Sequence, residues 1–406
     1  MNFSAAAVLS ALFFASSTYG SSLVINSMHS DPTAKKAFTA VVDSFKKENP
    51  DINVTVNTTS HESYKIQIRT WLPNRAPDIA TWFAGNRAKY FAEKGLIMPI
   101  DDVWKDVGKN FPSGIESSIK FDGKTYLLPA SYYHWGFYYR KDLFKEAGIT
   151  TPPKNWSDFL TAIKKINAVS KTPITIGTKN SWPAAAWFDF INMRLNGYEF
   201  HMDLLSGKIP YTDPKVENAM KHWSELVNAK AFTPNHAAMT WQEAMALIWQ
   251  GKAAMYLMGN FISTEIPEKI RPEIGFFKFP VINPKIAQAE VAPTDVYFIP
   301  AKAKNVQNAK KFIRFLAKKE SQQMINDLSR LIPPHTAAKV PADDIFLTEG
   351  IKLLKEASHH SQFFDRDADP QIAKVAMNGF VEFMLKPSRQ KAVLKKIEKT
   401  RKRVHR

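Results

Sequence analysis

Strand and helix patterns alternate along the first hundred residues, and this order constrains the fold more than any other feature. Short apolar or alternating runs are typical of strands, and each is followed by a run with helical spacing. The strand patterns cover residues 23–27, 52–57 and 78–82, and the helical ones cover 32–48, 60–72 and 87–94. A β-α-β-α-β-α order favours a parallel sheet with helices on both faces. We therefore predict an α/β fold.

Chain length adds a second constraint. A single hydrophobic core rarely grows beyond about 250–300 residues, whereas this chain has 406. Further strand patterns at 135–139, 253–257 and 275–279, and helical patterns through to residue 385, continue the mixed composition. The sequence thus predicts two α/β lobes.

The N-terminus has the pattern of a secretory signal peptide. Residues 4–16 are apolar and uncharged, and Thr18 and Gly20 place small side chains before a cut after Gly20. The run is shorter than the ~20 apolar residues of a transmembrane helix. Because Met1-Asn2-Phe3 lacks Lys and Arg, a buried N-terminal helix is the alternative. The chain has no cysteine to accept a lipid, so we expect a free exported protein.

The net charge of +17 is concentrated at the C-terminus. Residues 386–406 contain ten basic residues and one acid, Glu398, so this tail carries +9 and the remaining chain only +8. Val393, Leu394, Ile397 and Val404 lie among these cations. The pattern predicts either a basic amphipathic helix with weak contact to an anionic membrane or a solvated helix that frays at its end.

Motifs of several enzyme and cofactor classes are missing from the sequence. There is no G-x-S-x-G, H-E-x-x-H or G-x-G-x-x-G, and Asp122-Gly123 fits a hairpin turn better than a phosphate loop. Zero cysteines exclude thiolate metal sites and cysteine nucleophiles. His359-His360 has no evident third ligand. We predict no enzymatic activity, no cofactor, no metal site and no nucleic-acid partner.

Polar and aromatic residues follow the predicted strands. Open α/β sheets bind ligands beyond the carboxyl ends of their strands, and Ser30, Asp31, His61 and Trp82 lie at or just past those ends. Ser30 and Asp31 also suit helix capping, which is the alternative role. Aromatic rings stack on sugar rings and carboxylates bind hydroxyls, so the set suits a hydroxyl-rich small molecule.

Several motifs, in this order, resemble the extracellular solute-binding proteins of carbohydrate ABC importers, the family that includes maltose-binding protein. These are FKKENPDI at 45–52, APDI at 76–79 followed by Trp82, residues 121–160 with GKTYLLP, GKAAMYLMGNF at 251–261, and PVINP…APTDVYFIP at 280–300. Tyr139-Arg140-Lys141 departs from the Tyr-Asn-Lys-like triplet of the family. The likeness runs over nearly the whole mature chain.

The resemblance implies a type II periplasmic-binding-protein fold with two lobes, each a mostly parallel sheet flanked by helices, and a ligand cleft between them. Crossings would fall near residues 128–130, 280–293 and 331–334. Lobe one would comprise 22–129 and 285–330, and lobe two 130–284 and 331–385. Residues 1–20 would be the signal peptide, and 386–406 a separate basic tail.

The resemblance also implies a set of cleft residues. Trp82 and Trp241 would be stacking platforms, and Asp31, Asp295 and Arg330 would bind hydroxyls through charge-assisted hydrogen bonds. The complete predicted set is Ser30, Asp31, His61, Trp82, Tyr132, Tyr133, Trp135, Trp182, Trp241, Asn260, Phe261, Asp295, Arg330 and Asp367, with Asp369 as an alternative to Asp367.

These observations lead to the hypothesis of a monomeric periplasmic receptor that delivers a mono-, di- or short oligosaccharide to a membrane permease. One alternative is a receptor of the same fold for a polyamine, a polyol phosphate or an iron chelate. Another is a secreted glycan hydrolase, which would need two carboxylates about 5–9.5 Å apart across a cleft.

Overall fold

A five-stranded sheet and a four-stranded sheet form the frame of the protein in the computed structural model, which describes residues 21–405. The predicted signal peptide lies outside the described residues. Within residues 21–405, no helix combines the length and the apolar character needed to cross a membrane. The strands are β1 Ser21–Ser27, β2 Ile52–Thr58, β3 Ile79–Phe83, β4 Lys120–Phe121, β5 Lys124–Thr125, β6 Leu128–Tyr132, β7 Trp135–Arg140, β8 Thr172–Ile174, β9 Ala253–Gly259, β10 Ile274–Phe277, β11 Glu290–Val291, β12 Thr294–Phe298 and β13 His360–Ser361.

The helices connect and cover these strands. They are α1 Pro32–Glu48, α2 His61–Trp71, α3 Asn86–Glu93, α4 Asp101–Val107, α5 Glu116–Ile119, α6 Lys141–Glu146, α7 Trp156–Ala168, α8 Trp182–Asn196, α9 Tyr198–Leu205, α10 Pro214–Asn228, α11 Trp241–Trp249, α12 Val306–Leu316, α13 Lys319–Ser329, α14 Ile345–Glu356, α15 Phe364–Asp367, α16 Pro370–Leu385 and α17 Gln390–Val404.

The first sheet has the order β2-β1-β3-β12-β6. Strand β1 runs parallel to both β2 and β3, while β12 is antiparallel to β3 and β6. Helix α1 begins at Pro32 and buries Phe38, Val41, Val42 and Phe45, as its 3.6-residue spacing predicts. The predicted α/β fold is therefore confirmed.

The second sheet, β10-β7-β9-β8, is mixed rather than mostly parallel. Only β8 and β9 are parallel, whereas β7 is antiparallel to both β9 and β10. The predicted mostly parallel sheet is thus wrong for this lobe, and the first sheet is mixed as well, with two parallel and two antiparallel pairs. The chain enters the second lobe through β7, which lies between two strands that run the other way.

Each sheet has its own hydrophobic core. Phe45, Ile79 and Phe312 belong to the first core, and Phe137 and Trp187 belong to the second. A small third cluster of Ala292, Ile332, Leu347 and Leu354 is separate from both. The two large cores define two lobes.

Three chain segments pass between the lobes. The first joins β6 to β7, the second joins β11 to β12, and the third follows α13, where Tyr132 and Ile332 exchange two backbone hydrogen bonds of 3.0 Å. The first crossing therefore comes after β6, a few residues later than predicted. Ala289 and Val291 are buried in the second core, so the returning first-lobe segment begins nearer to residue 294 than to the predicted 285.

The basic C-terminus is part of the second lobe rather than a separate tail. Val393, Leu394 and Ile397 of α17 are at most 1% exposed and belong to the second core. The Glu398 carboxylate accepts a hydrogen bond of 2.9 Å from the Tyr211 amide, which anchors the helix on its neighbour. The interpretation of residues 386–406 as a separate tail is wrong, because an apolar stripe of α17 packs into the second core.

Candidate functional site

A cleft between the two lobes brings together residues from distant parts of the chain. Its empty volume is about 1330 Å³, part of which is open solvent. Met28 and His29 come from the end of β1, and Phe83 from the end of β3. This is the position at which open α/β sheets bind ligands. The cleft is therefore the candidate binding site.

Eight of the predicted site residues line this cleft, and for them ligand contact stays a prediction. They are Asp31, His61, Tyr133, Trp135, Trp182, Trp241, Phe261 and Asp295. Phe83, Lys65, Phe363, Asp365 and Arg366 also line it but were missed.

The second lobe contributes an aromatic wall. Trp182 and Trp241 are partly exposed, with ring centroids 6.5 Å apart, and Phe261 packs edge-on against Trp241 at 5.4 Å. Trp135 is only 2% exposed and packs behind them, 5.0 Å from Phe363. Partly exposed rings in this arrangement offer apolar faces for stacking on a sugar ring.

Helix starts position the two accessible tryptophans. Trp241 is the first residue of α11, and a capping box in which Thr240 and Glu243 bond to each other's backbone amides fixes that start. Trp182 is the first residue of α8, where the preceding Ser181 has a φ of 62°. The buried indole N–H of Trp182 has no hydrogen-bond partner within residues 21–405. The indole N–H groups of Trp82 and Trp223, which lie in the hydrophobic cores, also have none within that range.

The first lobe contributes a more polar wall. Asp31 precedes α1, but its carboxylate makes no capping hydrogen bond. Instead it accepts a hydrogen bond of 3.5 Å from Gln242 of the second lobe, across the cleft. Burial raises the pKa of Asp31 and lowers that of His29 to about 4. Burial and nearby cations hold the pKa of His61 well below its usual value, so both histidines are neutral at pH 7.

Arg366 makes several polar contacts at the cleft. Its guanidinium donates to the Tyr133 hydroxyl at 2.7 Å and to the Thr294 carbonyl at 3.0 Å, and it lies 3.1 Å from the Asp295 carboxylate. It also lies 4.2 Å from the centre of the Phe83 ring. Burial raises the pKa of Asp295 although Arg366 opposes the shift. The pair forms a buried, charged corner of the cleft.

A second ion pair holds the segment that presents Arg366. Arg87 of the first lobe lies 2.6 Å from Asp365. The sequence signal that could have revealed this segment is Asp365-Arg366-Asp367, three charges directly after Phe363 and Phe364. Only Asp367 of these was predicted.

Trp82 does not line the cleft, so its predicted stacking role is wrong. It is 2% exposed and packs in the first core between Tyr64 and Phe91. Successive strand residues point to opposite faces, and the neighbouring Phe83 lines the cleft instead.

Three further predicted residues support the crossings rather than the cleft surface. The Asn260 amide donates to the Arg330 carbonyl at 2.6 Å and accepts from the Tyr138 hydroxyl at 2.7 Å. Arg330 ends α13 with a φ of 53° and pairs with Asp344 at 3.5 Å. Tyr132 packs in the small third cluster. These side chains join segments of the frame and do not line the cleft.

Ser30 and Asp367 are also engaged within the protein. The Ser30 hydroxyl accepts from the His61 amide at 3.2 Å. Asp367 accepts from the Gln362 amide at 2.8 Å, and burial raises its pKa to about 7. The alternative, Asp369, caps α16 by accepting from the Gln371 amide. None of the three lines the cleft.

The comparisons with known proteins agree with this architecture. The model of the family described as bacterial extracellular solute-binding protein matches residues 29–323. An uncharacterized ABC transporter extracellular-binding protein of Pyrococcus horikoshii is 29% identical over 317 residues, covering 76% of this chain and 70% of that protein.

Two solved structures share the fold. The bacterial solute receptor AcbH, described as having an exclusive preference for β-D-galactopyranose, superposes with a TM-score of 0.91 at 30% identity, covering 95% of this chain and 100% of AcbH. A chitin oligosaccharide binding protein gives a TM-score of 0.86 at 24% identity, covering 94% and 98%. The family match, together with a two-lobed fold and an interlobe cleft, shows that the chain belongs to the bacterial extracellular solute-binding proteins, the binding components of ABC transporters.

Proposed function

We propose that this protein captures a sugar in the interlobe cleft and delivers it to its membrane permease by closing the lobes around it. The observation that carries this proposal is the pairing of two different walls. Trp182, Trp241 and Phe261 offer aromatic faces, and the opposite wall offers the carboxylates of Asp31 and Asp295. Stacking together with charge-assisted hydrogen bonds is the combination that suits a hydroxyl-rich ring.

The comparisons support a sugar as the solute. AcbH is described as a galactopyranose receptor, and another structural neighbour as a chitin oligosaccharide binding protein. By analogy with these two proteins, we propose that the present cleft binds a monosaccharide or a short oligosaccharide. Of the four acids that line the cleft, Asp295 and Asp365 each lie beside an arginine, which leaves Asp31 and Glu265 as the acids that a polyamine would have to use.

The three crossings provide the mechanism of closure. A ligand that touches both walls binds the closed form more tightly than the open form and thereby shifts their equilibrium. The hydrogen bond between Gln242 and Asp31 shows that the lobes already meet across the cleft. The permease would then recognise the closed form. We further propose that the protein acts as a monomer in the periplasm, without catalysing any reaction.

A thermal-shift screen followed by titration calorimetry tests the proposed ligand class. The panel contains galactose, other monosaccharides, short oligosaccharides and mannitol, with putrescine, glycerol 3-phosphate and a ferric chelate as competitors. A ligand present at about 100 times its Kd stabilises the fold by about 2.7 kcal/mol, so binding raises the Tm. A neutral sugar is expected to give the largest shift, and a larger shift with any competitor would overturn the proposal.

Enzymatic turnover is tested with the same material. The sugar that gives the largest shift is incubated with the protein, as are glycosides that contain it. Recovery of unchanged sugar is expected. Release of a cleaved product would replace the receptor function with that of a glycan hydrolase.

A further inference from the structure

The outer face of α17 is a dense patch of positive charge. Its members are Lys391, Lys395, Lys396, Lys399, Lys402 and Arg403, all of which are exposed. At 3.6 residues per turn these six positions fall within an arc of about 140° on one side of the helix. We call this surface the α17 patch.

The opposite side of the helix is fixed to the second lobe. Val393, Leu394 and Ile397 are buried in the core. Glu398, the only acid between residues 386 and 405, points inward, where Arg401 donates to it at 2.7 and 2.8 Å. The helix therefore removes its one negative charge from the surface and holds the six cations on a rigid face.

We propose that the α17 patch docks the receptor on an anionic phospholipid surface. Clusters of four to eight lysines and arginines bind anionic lipids by charge, with about a fivefold gain in partitioning for each cation near the surface. A protein of this family works next to a membrane that holds its permease. Weak attraction to that surface would raise its local concentration there, whichever solute the cleft binds.

The composition of the patch favours a lipid surface over a protein partner. Five of its six members are lysines, which are depleted at protein interfaces, whereas the tryptophan, tyrosine and phenylalanine anchors of such interfaces are missing from the exposed face of α17. None of the described α17 residues lines the cleft. The patch is therefore separate from the cleft lining.

Vesicle co-sedimentation with the purified full chain tests the proposal. Phosphatidylcholine vesicles with and without phosphatidylglycerol are compared at about 0.05 M and about 0.5 M NaCl, because the higher salt shortens the screening length to a few ångströms. Binding is expected only with phosphatidylglycerol and only at low salt. Absence of that binding, or equal binding to phosphatidylcholine alone, would refute the proposal.

Charge-reversal variants separate the contribution of the α17 patch to membrane binding from the contribution of the protein's net charge. Lys391→Glu/Lys395→Glu/Lys399→Glu is expected to lower partitioning at least a hundredfold, since three cations are lost. The matched control, Lys36→Glu/Lys47→Glu/Lys124→Glu, changes the net charge equally at exposed first-lobe lysines and is expected to retain most of the binding. Equal losses in the two variants would overturn the assignment to α17. Thermal unfolding checks that both are folded, and the Lys→Gln version of the patch variant serves if the Glu version is not.

Discussion

Trp182, Trp241 and Phe261 face the cleft from the second lobe, whereas Asp31, His61 and Asp295 face it from the first. The aromatic wall offers apolar surface area. The binding energy that this area contributes depends little on pH or on the orientation of the sugar hydroxyls. The polar wall offers directional acceptors and donors, whose contribution depends on the position of each hydroxyl. The difference suggests that the second lobe supplies general affinity for sugar rings, and that the first lobe distinguishes one sugar from another.

The polar wall also depends on a residue from the other side. Arg366 follows the second-lobe residue Phe364 in the chain, yet it pairs with Asp295 of the first-lobe strand β12. Because both charges are buried, neither is stable alone. The first wall is therefore complete only when the segment around Arg366 is in place, and the two walls can be separated experimentally by substituting one residue at a time.

The largest expected effect distinguishes a core tryptophan from a wall tryptophan. Trp82→Ala is expected to lower the free energy of unfolding by about 3–5 kcal/mol, because it leaves a cavity in the first core. It should leave the sugar affinity of the folded protein nearly unchanged, since Phe83 rather than Trp82 lines the cleft. Urea denaturation and titration calorimetry measure the two quantities. A loss of affinity without a loss of stability would return Trp82 to the binding site.

The next effect belongs to the polar wall. Asp295→Asn is expected to weaken sugar binding by about 2–3 kcal/mol, because a charged acceptor is lost and Arg366 keeps no ionic partner there. Burial raises the pKa of Asp295, so in the wild type its carboxylate takes up a proton at a higher pH than an ordinary aspartate. Wild-type affinity should therefore fall as the pH is lowered through that raised pKa.

The variant should show less of this acid-dependent loss, as measured by calorimetry between pH 7 and pH 4. Asp31 and Glu265, which also line the cleft and whose pKa values burial raises, account for what remains. If Asp295→Asn loses affinity with acid as steeply as the wild type, Asp295 is not the titrating group of the polar wall.

The third effect belongs to the aromatic wall. Trp241→Ala is expected to weaken sugar binding by about 1–2 kcal/mol through lost stacking area, and to change the free energy of unfolding by less than about 1 kcal/mol because the side chain is partly exposed. Trp241→Phe should recover part of the affinity. The pH profile of Trp241→Ala should run parallel to that of the wild type, and a profile that flattens instead would contradict the division between the walls.

Local patterns predicted much of the fold because they reflect burial directly. The spacing of Phe38, Val41, Val42 and Phe45 and the order of the first three strand and helix pairs correspond to observed elements. The resemblance to a known family added the two lobes and the approximate crossings. The directions of the strands in the second sheet depend on distant pairing between β7, β9 and β10, for which the sequence contains no local signal.

The candidate site was harder to predict, and Trp82 and Arg366 illustrate why. Strand β3 is buried on both faces, so its residues show no alternation that would indicate which side chain faces the cleft. Arg366 is about 70 residues from Asp295 in the chain, and only the tertiary fold brings the two together. In α17 the signal was present in Val393, Leu394 and Ile397, but the density of cations around them suggested a solvated helix.

The smallest expected effect concerns the contact that joins the two walls. Gln242→Ala removes the 3.5 Å hydrogen bond to Asp31, and a single hydrogen bond of this kind contributes about 0.5–1 kcal/mol. That contact exists only when the lobes are together, so its loss disfavours the closed form and is expected to weaken sugar binding two- to fivefold. Gln250→Ala, at the other end of the same helix, is the matched control and should bind as the wild type does.

Small-angle X-ray scattering without ligand gives the second measurement, in which Gln242→Ala should increase the radius of gyration. An unchanged radius together with weaker binding would place Gln242 in direct contact with the sugar, as part of the second wall rather than as a link between the two.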